Sequence, residues 1–363
     1  MVIQIEKLSQ LFTKYLPLLT GKKPSETSIQ RLVGLNIGRA SIVACEISSK
    51  GNQLTLERCL RKEIVKDKAL AVQLRGLFEE AKFQTTKVNV SLKGQGVIVR
   101  FLSFPKMSRA DFASSIQFEA EKYLPFSLAD VILDYHMIEG STAGSSEEGS
   151  NMPVILVAAR KTEVDKLLNV AKEVGFKLNA IDVDIFAYAN AFERASPEAK
   201  THSVGLVDFG AVDTTLGIFN KGTLVFSRDI AFGGNDLTEM IKRKLNVSPE
   251  EAYKIQHDPN LNSPEQIAGV EEGLDRLFQE LKSSLNYYYN QHQSAEPIET
   301  IYISGGFSQS TILSASLEKR MEVPVKKWDP TAGLMVSETV NQTSLKELLP
   351  YLPVSIGLAI RPK

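Results

Sequence analysis

The sequence predicts an α/β protein of two related lobes with a nucleotide-shaped cleft between them. Three observations predict it. A strand–turn–strand unit occurs twice, near Gly34–Gly38 and near Gly205–Gly210. Each copy continues into a third strand after a glycine-containing turn, and repetition on this scale points to two related halves. Two further glycine stations follow, Gly233-Gly234 and Gly305-Gly306, so that four stand in order, each at the end of an apolar strand.

The elements read in order as follows. Met1–Thr20 has Ile5, Leu8, Leu11, Phe12, Tyr15, Leu16 and Leu19 at helical spacing, an amphipathic helix. It could dock on a partner, on a membrane surface or on its own body, or fray. Gly21–Ser28 is a polar linker. Strands follow at Leu32–Ile37, Ser41–Ile47 and Leu54–Ile64, the last two separated by the turn signal Gly51-Asn52. Ala69–Lys82 is a helix and Lys87–Leu92 a strand.

Val97–Phe104 is a strand closed by Pro105. Ser108 and Asp111 cap a helix running to Tyr123 and stopped by Pro125. Asp130–Ile138 and Pro153–Ala159 are strands joined by Gly140–Asn151, whose Ser and Gly content marks a mobile hairpin tip. Helix Thr162–Val174 ends at Gly175, a C′ glycine. Strand Leu178–Val183 and helix Ile185–Ala195 complete the first half.

Polar Pro197–Ser203 marks the lobe boundary. Val204–Phe209, Thr214–Phe219 and Leu224–Ile230 repeat the opening strands. Helices follow at Asp236–Leu245, Ser248–Gln256 and Gln266–Gln291. Strand Ile298–Ser304, a helix from about Ser310 to Met321, strand Val323–Lys327 and the segment Leu345–Ile360 close the chain. The expected domains are an extension and linker (1–28), lobe 1 (29–200, with an insertion at about 97–182), lobe 2 (201–340, with a helical part at about 235–295) and a segment returning to lobe 1 (341–363).

Composition excludes several functions. The chain has 363 residues, 43% hydrophobic and 23% charged, with a formal net charge of -1. That is an ordinary soluble composition and no nucleic-acid footprint. The four histidines are scattered without ligand spacing, and Cys45 and Cys59 read as two reduced, part-buried thiols, so neither zinc nor haem is expected. Thiols without a disulfide framework suit a cytoplasm. No run reaches the ~20 apolar residues of a membrane span. Met1–Thr20 has no signal-peptide pattern.

The duplicated turn has a specific chemistry. Val33–Ile47 and Val204–Phe219 each carry an apolar strand, an Asn/Asp–apolar–Gly turn and a second strand. Glycine lets the backbone approach an anion, and successive N–H groups make a phosphate-binding concavity. A carboxylate before the glycine can hold a water of phosphate-bound Mg²⁺. Asp208 fits that role as the metal residue; its counterpart, Asn36, has no charge.

This order of glycine stations resembles the actin-like ATPase superfamily. The resemblance implies a duplicated, ribonuclease-H-like fold. Gly34–Ser41, with Asn36, Gly38, Arg39 and Ser41, would be the first phosphate loop. Asp208–Thr215, with Asp208, Gly210, Thr214 and Thr215, would be the second. Gly305-Gly306 would be the adenosine loop, and Gly233, Gly234, Lys254 and Ser308 complete the expected cofactor-binding set, Lys254 as a substitute contact. Gly357-Leu358-Ala359 would belong to a connecting helix whose small residues let two helices pack closely. ATP and Mg²⁺ are the implied cofactors.

Finer motifs narrow the resemblance. Phe104–Ser108, Phe118–Phe126, Leu133-Asp134-Tyr135, Val157–Lys161, Leu285–Tyr289 and Ser355–Ala359 look like the PilM family of type IV pilus assembly proteins. The match runs from about Leu32 to Arg361, and Val97–Asp182 would be the inserted subdomain shared with the division protein FtsA. The resemblance implies a cytoplasmic adaptor at the inner-membrane platform of a pilus or related type II secretion machine. Its expected partner is the N-terminal tail of a PilN-like membrane protein, bound beside the inserted subdomain. The pilus motor ATPase, other platform components and a second copy of the chain are further candidates.

Three departures concern the nucleotide. Asn36 replaces the usual Asp of the first turn, and Arg39 replaces a small residue. Arg39 would either clash with a phosphate or pair with one in the metal's place. On the helix Ala252–Gln256, Tyr253 and Gln256 replace the family's Glu and Lys, and Lys254 falls on a different face. Phe307 is bulky where smaller residues are common. These changes predict ATP binding weakened or lost and negligible hydrolysis; the alternative is a site retained through backbone contacts. A scaffold is therefore favoured over an ATP-hydrolysing switch. An FtsA-like filament protein is disfavoured because Arg361-Pro362-Lys363 follow the fold directly, without an amphipathic tail. A small-molecule kinase lacks a candidate catalytic base.

Overall fold

Two sheets of the same plan form the body of the protein. The computed structural model describes residues 29–138, 151–258, 260–292 and 295–361. The expected N-terminal helix and linker, and the expected hairpin tip up to residue 150, lie outside them.

The first half runs β1 (Gln30–Ile37), β2 (Ser41–Lys50), β3 (Gln53–Glu63), α1 (Leu70–Ala81), β4 (Lys87–Leu92), β5 (Val97–Pro105), α2 (Arg109–Ala120), β6 (Val131–Met137), β7 (Asn151–Arg160), α3 (Lys161–Val174), β8 (Lys177–Val183) and α4 (Asp184–Ala195). The second runs β9 (Ser203–Phe209), β10 (Thr214–Asn220), β11 (Thr223–Ile230), α5 (Gly234–Leu245), α6 (Pro249–His257), α7 (Pro264–Gln291), β12 (Thr300–Ser304), α8 (Thr311–Met321) and β13 (Val325–Lys327). The chain closes with β14 (Met335–Val336), α9 (Gln342–Leu348) and α10 (Pro353–Ile360).

Apart from the sixth strand, β14, the sheet orders match strand for strand. One sheet reads β14-β3-β2-β1-β4-β8 and the other β11-β10-β9-β12-β13. In each, an antiparallel meander is extended by two parallel strands beside its first strand. The two-residue β14 adds itself parallel to β3, at Met335 opposite Thr55; its shortness hid it in the sequence. The segment Leu345–Ile360 is two helices, separated by a short 3₁₀ turn at Leu349–Tyr351. Pro350 and Pro353 lack the N–H that continuity requires.

Local chemistry explains the boundaries. The Asp111 N–H donates to the Ser108 hydroxyl at 3.1 Å and starts α2. Gly175 adopts φ +88° and donates its N–H to Ala171 O, ending α3.

α4 and α10 lie between the two sheets. Ile185, Phe186, Tyr188 and Phe192 of α4 share one core with Val204 and Leu206 of β9. Ala191 of α4 and Ile356 of α10 share another with Val43 and Cys45 of β2. The approach is close: a Cβ on Gly34 of β1 would fall 1.8 Å from Ser355 O, and one on Gly357 would fall 1.7 Å from Ala187 O. Buried Asn89 on β4 donates to Leu358 O at 2.7 Å, which satisfies a carbonyl that the end of α10 leaves without a helical partner.

A third sheet, β5-β7-β6, is inserted between β4 and β8. With α2 it encloses its own core of Phe104, Phe112, Ile116, Ala120, Val154 and Leu156. The largest core fills the second lobe, where Phe209, Phe232, Leu274 and Phe307 meet.

Candidate functional site

The two predicted phosphate turns have one geometry. Gly38 N–H donates to Ser41 O at 3.0 Å, and Gly210 N–H donates to Asp213 O at 3.0 Å. A Cβ at Gly38 would sit 2.9 Å from the Ser41 oxygen, and one at Gly210 2.7 Å from the Asp213 oxygen. Glycine is thus required by the turn itself. Asn36 and Asp208 occupy equivalent ladder positions, opposite Val43 and Thr215.

The other predicted donors also have partners inside the protein. Gly233 N–H donates to Asp236 Oδ2, and the N–H groups of Gly234 and Asn235 donate to Gly210 O and Ala211 O. The start of α5 is therefore packed onto the second turn. Gly305 N–H donates to Pro350 O, and Gly306 lies against the Tyr351 ring. The hydroxyls of Thr214, Thr215 and Ser308 are buried and donate to Phe232 O, Asp229 Oδ1 and Gly305 O.

Asp208 is the centre of the arrangement. Its Oδ1 accepts from Ser304 Oγ at 3.1 Å, and Ser304 Oγ lies 2.9 Å from Tyr188 OH. Trp328 Nε1–H donates to the same phenol at 3.2 Å. Burial, with the negative Asp208 nearby, pushes the Tyr188 phenol well above its ordinary range.

Lys93 enters from the other lobe, one residue past β4. Its Nζ lies 2.6 Å from Asp213 Oδ1 and 3.8 Å from Asp208 Oδ2. Burial disfavours its charge, but Asp208, Asp184 and Asp213 outweigh that and hold its pKa above the ordinary value. Asp184, at the start of α4, is buried. Burial pushes its carboxyl up to about 7, and the Lys93 charge works against that rise.

Arg39 is exposed, and its Nη2 reaches within 3.4 Å of the place a Cβ on Gly94 would occupy. The first turn and Lys93-Gly94 thus face the second turn. Lys254 stands apart: it lines a separate groove on α6 with Glu251, Tyr253, His257 and Asp258. Gln256 is buried and accepts from Thr238 Oγ1 at 2.5 Å, so it braces α5. Phe307 points into the second core and meets Phe209 edge-on at 5.9 Å.

Lys93, Asp184 and Asp213 were not among the predicted residues. The duplication itself held the signal. Since β1 corresponds to β9, β4 corresponds to β12, and by the ladder registers Lys93 then stands where Gly306 stands in the second lobe.

Beside this cluster is a groove of about 460 Å³, where Val97, Val99 and Phe126 of the insertion face Ile185 and Arg228. The Arg160 guanidinium caps the Phe126 ring at 4.0 Å. Among the described residues no helix is long and apolar enough to cross a membrane, and no group of three or more His, Cys, Asp or Glu is placed to hold a metal ion.

Twin sheets of this topology, two helices between them and a glycine-lined cleft define an actin-like fold, here carrying an insertion between β4 and β8. The chain belongs to the family of the type IV pilus assembly protein PilM, whose model matches residues 34–363. The solved PilM-PilN type IV pilus biogenesis complex superposes with a TM-score of 0.80 at 25% identity, covering 91% of this chain and 99% of that one. A stretch of 101 residues is 31% identical to the cell division protein FtsA of Bacillus subtilis (strain 168), covering 28% of this chain and 22% of that protein's length. MreB5 of Spiroplasma citri bound to ADP superposes with a TM-score of 0.48 at 13% identity, over 92% of this chain and 95% of that one.

Proposed function

We propose that this chain is a cytoplasmic adaptor that binds the N-terminal tail of a PilN-like inner-membrane protein and so sits peripherally at the platform of a type IV pilus or related secretion machine. The observation that carries the reading is the inserted β5-β7-β6 unit, within a chain similar over 91% of its length to a PilM-PilN complex. Among the described residues β5 and β6 each pair only with β7. An extended tail can add to such an edge, or lie in the groove lined by Val97, Val99, Phe126 and Ile185.

Fluorescence anisotropy with labelled tail peptides of PilN-like proteins tests it. Saturable binding is expected, weakened at least tenfold by Phe126→Ala or Val99→Asp. Absence of binding to every PilN-like tail tried would overturn the adaptor reading.

A second reading, an ATP-driven switch in the same machine, draws on the twin turns and on Asp208. It is the weaker one, because the N–H groups of Gly38, Gly210, Gly233, Gly234 and Gly305 already have acceptors within the protein. Equilibrium dialysis with ATP is expected to show weak binding or none. A rise of several degrees in melting temperature with ATP and Mg²⁺ would favour the switch.

A further inference from the structure

Asp184, Asp208 and Asp213 converge on one region of the cleft, and the ammonium of Lys93 stands among them. In a nucleotide cleft of this fold Asp208 is the residue read as holding a water of Mg²⁺. The residues present do not fit that ion. Asn36 brings no charge to the equivalent turn. Of the two Asp208 oxygens, one accepts from Ser304 and the other faces Lys93. Asp213 is in direct contact with the same ammonium at 2.6 Å. Lys93 thus already stands between the Asp208 and Asp213 oxygens that such an ion would use.

We propose that Lys93 is the resident cation of this cleft. Its ammonium takes the position and the bridging role of the divalent ion, so that the two lobes close on each other without metal. The inference rests on reading the cleft as a nucleotide-type cleft, and it is independent of tail binding.

The physical case has three parts. Carboxylates that share one site repel each other, and a cation among them relieves that repulsion. The cation here is covalently part of lobe 1, one residue past β4, while Asp208 and Asp213 belong to lobe 2. The contact therefore joins the lobes as a shared ion would. A tethered group is also present at an effective concentration in the millimolar range or above, which dissolved Mg²⁺ must exceed to displace it. The consequence is functional: a cleft closed by lysine lacks the ion that neutralises charge developing on a transferred phosphoryl group, which suits an adaptor and not a turnover enzyme.

The test compares melting of the full chain and its Lys93→Met variant in millimolar MgCl₂ and in NaCl of equal ionic strength. The wild type is expected to melt at the same temperature in both. Lys93→Met is expected to melt several degrees lower, to regain that loss saturably with Mg²⁺, and to lose the regain in Lys93→Met/Asp213→Asn. Saturable stabilisation of the wild type by Mg²⁺ would overturn the proposal, as would a Lys93→Met response no larger than that of the wild type. Should Lys93→Met fail to fold, calorimetric titration of the wild type with Mg²⁺ still decides: a binding isotherm refutes a resident ammonium, and its absence supports one. ATP dialysis run alongside tests the nucleotide reading separately, because the melting comparison uses no nucleotide.

Discussion

Arg361 Nη1 lies 3.2 Å from Asp182 Oδ2, and both side chains are buried. The pair ties the residue after α10 to β8, the strand that resumes the first sheet after the insertion. The same guanidinium acts on Asp134 of β6, within the inserted sheet. The charge of one arginine therefore bears on two other pieces of the chain.

Removing that arginine should be costly. Arg361→Ala leaves Asp182 buried, where desolvation already pushes its carboxyl up. Breaking a buried pair by deleting one partner costs about 3–5 kcal/mol. Urea denaturation should show that loss, and Arg361→Met/Asp182→Asn should recover part of it. A loss for Arg361→Ala under ~0.5 kcal/mol, the size of an ordinary surface change, would show that the pair holds nothing together.

Stability should fall with rising pH through two carboxyls. Burial raises Asp134 from 3.8 to about 6, and it raises Asp184 from 3.8 to about 7. A raised carboxyl means that the folded state holds the proton more tightly than the unfolded chain does. Each group's contribution is then greatest below 3.8 and is lost as pH rises through 6 for Asp134 and 7 for Asp184. Asp134→Asn keeps an acceptor for the Tyr135 N–H, which donates at 2.9 Å, and cannot ionise. Its urea midpoint should exceed that of the wild type above neutral pH and converge with it near about pH 4. An offset that stays constant across that range would contradict the assignment.

Glycines that look alike in the sequence should respond in opposite ways. A methyl at Gly34 or Gly357 meets backbone oxygen at under 2 Å, so β1, α4 and α10 must move apart. Gly34→Ala and Gly357→Ala should each cost about 3 kcal/mol or prevent folding. Gly76 lies within α1 and has nothing within 4 Å of an added Cβ. Gly76→Ala should stabilise by roughly 0.5–1 kcal/mol. Thermal melting of the three variants checks both signs.

The fold was legible where geometry leaves few residue choices. The closed turns at Gly38 and Gly210 admit only glycine, so the duplication shows in the sequence. Strands β2, β9 and β10 are apolar runs buried along most of their length, and α3 ends on a glycine at φ +88°. The cleft's charge was less legible, because Lys93 and Asp213 are neighbours only after two sheets have formed and faced each other. A lysine after a strand is unremarkable until its partner in the repeat is found. Gly233 and Gly305 were expected to serve a nucleotide, and their N–H groups serve the packing of α5 and of the turn at Leu349–Tyr351. β14 was invisible because two residues carry no period. Cys45 and Cys59 lie opposite each other on β2 and β3, and burial pushes both thiols up, so neither favours the reactive thiolate.

The insertion should fail separately from the body. Phe112 is fully buried, meeting Phe104 at 5.1 Å and Tyr135 at 4.9 Å, both edge-on. Its core cluster is distinct from those that fill the two lobes. Phe112→Ala should therefore cost about 3–5 kcal/mol, and the loss should fall on β5, β6, β7 and α2. Hydrogen exchange should quicken in those elements while β1, β9 and α10 keep their protection. If the tail of a PilN-like protein binds beside this sheet, its affinity should drop in the same variant at temperatures where the body is still folded. Uniformly faster exchange across both lobes would mean that the insertion and the body unfold as one unit. Unchanged tail affinity with a loosened insertion would move the tail's site away from β5 and Phe126.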